Sequence, residues 1–302
     1  MAIATVGILS PGDMGHTIGK VLREGGLRVV TCLEGRSART GALAAGAGIE
    51  PLPTLEALVA EADFLLSVLV PAEALGVAQR VAGAIRREGS GRGADLLYAD
   101  CNAIAPRTAL AVAETVGAVG ARFADVGIIG PPPRGPATRF YASGPGAAEF
   151  ARLGDHGLHV RLLDGPAGQA SGFKMCYGAL TKGLQALGTE LLVAARLLGL
   201  EEALAAEQRE SVPILREHLE RAVPTMPPKA YRWVGEMEEI ATCFADLGLT
   251  PQLFLGAADL YRFVADTPIG RESPEGRDRG RGLDGIVAEL AGALEAGAGA
   301  KA

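Results

Sequence analysis

The apolar run Ile3-Ala4-Thr5-Val6-Gly7-Ile8-Leu9 leads directly into Ser10-Pro11-Gly12-Asp13-Met14-Gly15. The run has the length and composition of a buried strand, and the glycine-containing turn precedes a helical segment from Ile18 to Arg23. A second apolar run, Leu27 to Leu33, follows and ends in the polar tip Glu34-Gly35-Arg36-Ser37. Strand, glycine turn, helix and strand in this order predict a βαβ unit that binds a dinucleotide.

The two glycines of this turn have separate physical roles. A pyrophosphate binds at the free N–H groups of a helix N-terminus, where the helix dipole favours an anion. Gly12 lets the backbone approach the pyrophosphate, and Gly15 lets helix and strand pack closely. Ser10 stands at the first glycine of the usual fingerprint, so an ordinary βα turn is the alternative. The predicted cofactor contacts here are Ser10, Pro11, Gly12, Asp13, Met14 and Gly15.

Composition excludes several classes of function. The chain has 302 residues, is 48% hydrophobic and carries a net charge of −6, so we expect a folded protein without nucleic acid as its main partner. No apolar run reaches the roughly 18 residues of a membrane span. The four cysteines form no CxxC pair and the four histidines no metal set. We therefore predict a cytoplasmic protein with reduced thiols and without a metal site.

Apolar runs and helical segments alternate through the first half of the chain. This alternation predicts an α/β fold, a doubly wound and mostly parallel sheet with helices on both faces. The later strands are predicted at Phe64–Val70, Asp95–Ala99, Phe123–Val126, Phe140–Ser143 and Leu158–Leu162, and the helices at Thr54–Ala62, Ala72–Arg87 and Pro106–Val116.

The second half of the chain is predicted to be all-helical. The pattern changes near Gly165, so we predict a dinucleotide-binding domain over 1–165 and a helical domain over 166–302, with a long interdomain helix at about 169–198. One small domain does not cover all of its leucine stripes, which predicts a homodimer through this half. The stripe of the long helix is Phe173, Tyr177, Leu180, Leu184, Leu187 and Leu191, and later helices are predicted at Glu201–Ala222, Lys229–Leu247, Pro251–Ala265 and Leu283–Leu294.

Separated segments of the chain match the motifs of one family. They are Gly7–Gly15 with its Met-Gly ending, Val68–Pro71 (VLVP), Asp100–Pro106 (DCNAIAP), Phe123–Gly130 (FADVGIIG) and Gly165–Lys174 (GPAGQASGFK). Together they resemble the β-hydroxyacid dehydrogenases, which include 6-phosphogluconate and 3-hydroxyisobutyrate dehydrogenases. The resemblance covers nearly the whole chain. It implies a Rossmann-type domain, a helical C-terminal domain, a nicotinamide cofactor and a small β-hydroxy acid as substrate.

The resemblance also implies roles for individual residues. Lys174 is the general acid/base, and Asn102 binds the substrate or the nicotinamide amide. Tyr177 and Gly178 stand where the family has Asn-Asn or His-Asn, and Gly235-Glu236 stand where it often has a Lys-Asp pair. These departures are typical of a divergent phosphogluconate-dehydrogenase-like subgroup. The remaining implied contacts are Val70 and Pro71 to the cofactor, and Ile129, Gly130, Pro131, Lys174, Tyr177, Gly178 and Trp233 to the substrate.

Each candidate also has a structural interpretation. A lysine acts as a base only where its surroundings lower its pKa; otherwise Lys174 is a surface side chain. Asn102 is alternatively a turn residue that precedes a proline. Tyr177 and Trp233 are alternatively core residues, and a hydrogen-bond donor role for Tyr177 is equally open.

The cofactor preference is a conflict between two charges. Glu34 lies where an acid binds the ribose 2′-hydroxyl of NAD. Arg36 and Ser37 resemble the family's Arg-Thr/Ser, which holds the 2′-phosphate of NADP. We predict NADP, with NAD as the alternative. The predicted protein is thus an NADP-dependent oxidoreductase; an imine or enamine reductase on the same scaffold and a non-catalytic dinucleotide-binding sensor or assembly protein are the alternatives.

Overall fold

The N-terminal half is organised around a single sheet. The computed structural model describes residues 3–89, 91–133 and 135–299. Within these ranges the strands are β1 (Thr5–Ile8), β2 (Arg28–Cys32), β3 (Glu50–Leu52), β4 (Phe64–Ser67), β5 (Leu97–Asp100), β6 (Arg122–Ile129), β7 (Arg139–Ser143) and β8 (His159–Leu162). Their order is β3-β2-β1-β4-β5-β6-β7-β8, and each neighbouring pair is parallel apart from the antiparallel pair β6–β7. The predicted α/β, mostly parallel, Rossmann-type fold is therefore confirmed.

Helices follow most of the strands and then occupy the remainder of the chain. Short 3₁₀ turns lie at Pro71–Glu73, Ala151–His156, Val223–Thr225, Pro227–Lys229 and Ile269–Arg271. The helices are α1 (Gly15–Glu24), α2 (Ala38–Gly46), α3 (Leu55–Glu61), α4 (Ala74–Glu88), α5 (Arg92–Asp95), α6 (Pro106–Gly117), α7 (Ala147–Phe150), α8 (Gln169–Leu197), α9 (Glu201–Ser211), α10 (Pro213–Ala222), α11 (Ala230–Asp246), α12 (Gln252–Asp266) and α13 (Leu283–Gly299).

Both faces of the central strands β1, β4 and β5 are buried. Side chains alternate along a strand, so Phe64 and Leu66 of β4 pack into the cluster beneath α1, whereas Leu65 packs into the cluster beneath α3, α4 and α6. Burying one such side chain contributes about 1.5–3 kcal/mol. Helices cover both faces of these strands, which explains why their sequences are nearly continuous apolar runs.

The segment between β2 and β4 was predicted incompletely. Sequence analysis assigned no elements to α2 and β3. Helix α2 is rich in Ala and Gly and buries only Ala44, but Ser37 caps it by accepting a hydrogen bond from Thr40 N at 3.2 Å. Strand β3 spans three residues, contains Pro51 and lies at the sheet edge, where a missing N–H is tolerated.

The chain divides into two compact units, Met1–Cys176 and Tyr177–Ala302, and the division falls inside α8. Every regular element that the structure describes in the second unit is a helix. The helix predicted over Glu201–Ala222 is interrupted, because Pro213 supplies no N–H and begins α10 instead. In the described residues we find no helix with the length and apolarity that a membrane span requires.

The apolar stripe of α8 is largely exposed. Leu180 and Leu187 expose 68% and 60% of their surface, and Phe173 and Tyr177 are also exposed. The buried face of this part of α8 includes Gln185, whose amide donates to Ala222 O at 2.6 Å. The leucine spacing therefore identifies a face that this chain leaves largely uncovered.

Candidate active site

The turn between β1 and α1 has the shape that an anion site requires. A Cβ on Gly15 would lie 2.2 Å from Ser10 O, so only glycine allows this approach of turn and helix. A Cβ on Gly12 would meet no atom within 4 Å, so the space in front of the turn is open. Met14, the N-cap of α1, makes no side-chain cap, and the first helical turn contains no acidic residue. The residues of the turn therefore fit a bound diphosphate.

The one carboxylate of this turn is neutralised. Asp13 Oδ1 accepts a hydrogen bond from Arg39 Nη2 at 2.5 Å. Arg39 lies in the first turn of α2, so this ion pair connects the turn to the helix after β2. The ion pair reduces the repulsion that Asp13 would exert on a bound anion.

The tip of β2 presents one acid and one base in different surroundings. Glu34 is exposed, whereas Arg36 is half-buried and donates from Nη2 to Leu9 O at 3.2 Å. Burial lowers the pKa of Arg36, and the positive charge of Arg80 lowers it further. The hydroxyl of Ser37 already accepts from Thr40 N as the cap of α2. The guanidinium of Arg36 thus lies close to the end of β1.

Asn102 connects the ends of β4 and β5. Its Oδ1 accepts from Leu69 N at 2.5 Å, and its Nδ2 donates to Ser67 Oγ at 2.9 Å and to Asp100 Oδ2 at 3.0 Å. Both amide protons are used within the protein, so only an Oδ1 lone pair remains for a ligand. This arrangement favours the structural interpretation of Asn102.

The neighbours of Asn102 offer surface but no nucleophile. Val70 is exposed at the end of this segment, and Pro71 is buried and begins a 3₁₀ turn. Burial raises the pKa of the Cys101 thiol well above its ordinary value, and the charges of Asp100 and Asp125 add to the effect. Cys101 therefore stays protonated and inert.

A buried carboxylate on β6 holds the start of α8. Asp125 Oδ2 accepts from the backbone N of Gly168 at 2.8 Å and of Ser171 at 3.0 Å, and from Ser143 Oγ at 3.1 Å. Asp125 Oδ1 accepts from Ser171 Oγ at 2.6 Å. A negative charge here satisfies N–H groups at the helix N-terminus and complements the helix dipole. Sequence analysis missed this role of Asp125.

Lys174 lies one turn into α8, against the end of β6. Its Nζ donates to Ile128 O. The helix approaches β6 closely, because a Cβ on Gly127 would lie 2.7 Å from Ala170 O and 3.2 Å from Lys174 Cβ. Since β1, β4, β5 and β6 are parallel, their carboxyl ends meet at one edge. Lys174 thus lies at the same carboxyl edge of the sheet as the turn, beside β6, which is three positions from β1 in the sheet order.

Ile129 ends β6, and Gly130 and Pro131 begin the loop that follows at the same edge. Ile129 is buried, and Gly130 has φ of +122°, a conformation that favours glycine. A Cβ on Gly130 would also lie 2.5 Å from Ala137 O. Pro131 is exposed, and its carbonyl accepts from Thr138 Oγ1 at 2.5 Å. This loop presents Pro131, rather than Ile129, to solvent.

The predicted residues of the second unit have mixed surroundings. Tyr177 exposes 42% of its surface, so it is not a core residue of this chain. Gly178 is buried, and a Cβ there would lie 3.1 Å from Ile240 Cδ1. The glycine is thus explained by the packing of α8 against α11.

Trp233 belongs to a polar and aromatic cluster. Its ring contacts Tyr261 edge-on at 5.3 Å between centroids, and Lys182 Nζ lies 5.4 Å from its centroid. Lys182 also forms an ion pair with Glu236, and both side chains are about 15% exposed. Glu236 stands where the family often has the acid of a Lys-Asp pair. Here α8 supplies the lysine, at a position that sequence analysis missed.

Among the residues that the structure describes, no group of three or more His, Cys, Asp or Glu side chains is arranged to hold a metal ion.

The chain is similar to proteins whose structures are known. It is 30% identical to the conserved protein MTH1747 of unknown function, described as structurally similar to 3-hydroxyacid dehydrogenases; the match covers 86% of this chain and 97% of that one, with a TM-score of 0.63. The 3-hydroxyisobutyrate dehydrogenase of Mycobacterium tuberculosis, solved with L-serine, has the same fold at 21% identity and a TM-score of 0.68, over 96% of this chain and 99% of that one.

Sequence comparisons give two further matches. Residues 195–264 match a domain of unknown function, DUF1932. An uncharacterized 28.5 kDa protein in the 7S RNA 5′ region of Methanothermus fervidus is 27% identical over 199 residues, which are 66% of this chain and 74% of that protein. With its motifs, its fold and its identity to MTH1747, the chain belongs to the β-hydroxyacid (3-hydroxyacid) dehydrogenase family.

Proposed function

We propose that this protein is an NADP-dependent oxidoreductase that interconverts a small β-hydroxy acid and its keto form, with Lys174 as the general acid/base. The observation that carries the proposal is the position of Lys174. Its Nζ contacts Ile128 O at the sheet edge that also bears the open turn after β1. In open α/β sheets, ligands bind outside this edge.

The first unit supplies the groups that would hold the dinucleotide. The N-terminus of α1 and the open space at Gly12 receive the pyrophosphate. Val70 and Pro71 lie farther along the same edge and contact the nicotinamide half. When bound, the nicotinamide supplies the acceptor or donor of hydride.

Lys174 moves the proton of the reaction. In the oxidation, its neutral amine accepts the proton of the substrate hydroxyl, and in the reduction its ammonium returns that proton to the carbonyl oxygen. The Ile128 carbonyl orients Nζ, and Asp125 fixes the helical turn that carries it. The Ile128 carbonyl and Asp125 hold Lys174 in position before the substrate binds, so the lysine needs little reorganisation during the reaction.

The NADP preference is supported by the tip of β2. Arg36 donates a hydrogen bond to Leu9 O at the end of β1, whereas Glu34 is exposed and can turn away from a phosphate. A guanidinium also suits the geometry of a phosphate.

Tyr177 favours a less polar substrate than a sugar phosphate. It stands where the family has an Asn or His, and its ring is exposed on α8. A phenol donates one hydrogen bond and otherwise offers apolar surface. We therefore assign the substrate to the small β-hydroxy or β-keto acids with an apolar substituent.

A coupled substrate and variant screen tests this function. Small β-hydroxy acids are supplied with NADP⁺, and β-keto acids with NADPH, while the absorbance of reduced nicotinamide is followed. We expect turnover by the wild-type protein and a loss of about 100-fold or more in kcat for Lys174→Ala, with unchanged NADPH affinity.

Two further variants isolate the proton transfer. Lys174→Arg keeps the charge but does not release its proton at neutral pH, so we expect it to be as impaired as Lys174→Ala. Lys20→Ala, on the exposed face of α1, should keep full activity. Full activity of Lys174→Ala would contradict the lysine's role, and tight NADPH binding without turnover of any acid would favour the non-catalytic alternative.

We also propose that the second unit forms a homodimer. Leu180 and Leu187 of α8 are exposed, and no residue of α9 is buried within the described chain. Helices gain most of their stability from packing an apolar face, so an uncovered helix and an exposed leucine stripe together favour a second copy.

A further inference from the structure

A second arginine lies close to the candidate cofactor site. Arg80 is an exposed residue of α4, six residues after the helix begins. Its Nη1 lies 3.9 Å from the position that a Cβ of Gly76 would occupy. The side chain therefore runs back along α4 toward the N-terminus of the helix. Because α4 follows β4, this direction leads to the carboxyl edge of the sheet.

Arg36 reaches the same place from β2. Its Nη2 donates to Leu9 O at the end of β1, and the guanidinium is half-buried. The charge of Arg80 is close enough to lower the pKa of Arg36, an effect second only to burial. Glu73, in the 3₁₀ turn before α4, acts in the opposite direction.

Glu73 offsets part of the positive charge at this place but forms no ion pair with a described residue there. Among the residues described, no carboxylate forms an ion pair with Arg36 or Arg80. Two guanidinium groups that repel each other are stabilised by an anion that contacts both. A phosphate monoester carries up to two negative charges and has oxygens for two donors.

We propose that Arg80 is a specificity-determining residue that, together with Arg36, binds the 2′-phosphate of NADP. This assignment rests on the proposed function, because it requires that a dinucleotide occupies the site after β1. Arg36 approaches the phosphate from the tip of β2 and Arg80 from α4. Arg36 follows β2 and Arg80 lies on the helix that follows β4, and these two strands are the neighbours of β1 on either side.

Calorimetric titration of the full chain with NADPH and NADH, without substrate, tests the proposal. We expect Arg80→Gln to weaken NADPH binding by about tenfold or more, since it removes a charge-assisted contact. NADH lacks the 2′-phosphate, so its affinity should change by less than about twofold. Arg36→Gln should have the same selective effect. Arg86→Gln, at an exposed position near the end of α4, is the matched control and should change neither affinity.

Titration with 2′,5′-ADP and 5′-AMP gives a second readout, because these nucleotides lack the nicotinamide and differ from each other in the 2′-phosphate. Arg80→Gln should lower the preference for 2′,5′-ADP in proportion to its effect on NADPH. If Arg36→Gln abolishes the NADPH preference and Arg80→Gln leaves it intact, the role of Arg80 is wrong and the proposed function stands. If the wild-type protein binds neither dinucleotide, both fall.

Discussion

Asp125 on β6 and Ser171 on α8 are joined through both carboxylate oxygens. Oδ1 accepts from Ser171 Oγ at 2.6 Å, and Oδ2 accepts from Ser171 N at 3.0 Å. The pair fixes the first turn of α8 to the central sheet of the first unit. Lys174 lies three residues further along this helix, so its position depends on a carboxylate that does not contact it directly.

Asp125→Asn should therefore destabilise the protein. The amide places an NH₂ donor among N–H and O–H donors, and we expect a loss of about 2–4 kcal/mol in the free energy of unfolding by urea denaturation. Asp63→Asn is the matched control, because a single oxygen of Asp63 accepts from both Ala4 N and Thr5 N. An amide oxygen can replace it, so the loss should stay under about 1 kcal/mol. Equal effects of the two variants would contradict this role of Asp125.

Substitution by alanine should lower the stability of the protein at Gly15 but not at Gly12. Gly15→Ala puts a methyl group against Ser10 O and should cost roughly 2 kcal/mol or more in unfolding free energy. Gly12→Ala meets no atom, so its stability should change by less than about 0.5 kcal/mol. The same methyl group would occupy the space of the pyrophosphate and should weaken NADPH binding. A stable Gly12→Ala protein with wild-type NADPH affinity would exclude this turn as the pyrophosphate site.

Most strands of the sheet can be predicted from the sequence, whereas β3 and α2 cannot. Apolar runs bounded by turns predict β1, β2 and β4 to β8, and the signal is clearest for β1, β4 and β5, because buried parallel strands need nearly continuous apolar side chains. Strand β3 has three residues with Pro51 among them, and α2 buries one alanine. Such elements are held by neighbouring elements rather than by their own periodicity, so no local pattern identifies them.

Some residues of the candidate site can likewise be predicted from sequence motifs, whereas others are identified only by the tertiary structure. Lys174 and the turn Ser10–Gly15 lie in contiguous motifs and are readable from the sequence. Asp125 and Lys182 act on partners 46 and 54 residues away, so only the tertiary fold brings each pair together. Asn102 illustrates the reverse, since its motif predicts ligand binding and its amide protons are used by Ser67 and Asp100.

The Lys182–Glu236 ion pair should contribute measurably to stability. Glu236→Gln leaves a largely buried ammonium without its carboxylate, and we expect a loss of about 1–3 kcal/mol in unfolding free energy. Glu238→Gln on the same helix removes an exposed partner of Arg262 and should cost less than about 0.5 kcal/mol. A Glu236→Gln protein as stable as Glu238→Gln would rule out a structural role for the buried pair.

A charge on the exposed face of α8 should dissociate the proposed homodimer. Leu187→Arg introduces a cation on this face, and we expect monomers by light scattering with unchanged helical content by circular dichroism. Leu110→Arg, at a similarly exposed position in the first unit, should remain dimeric. A wild-type protein that is monomeric at working concentration would already contradict the dimer.

Calorimetric titration of the wild-type protein with NADPH tests the central claim most directly, because it requires no knowledge of the substrate. We expect saturable binding at one site per chain, with NADPH bound more tightly than NADH. A preference for NADH would assign the ribose contact to Glu34 instead of Arg36. Binding of neither dinucleotide would contradict the assignment of this protein as a nicotinamide-dependent oxidoreductase.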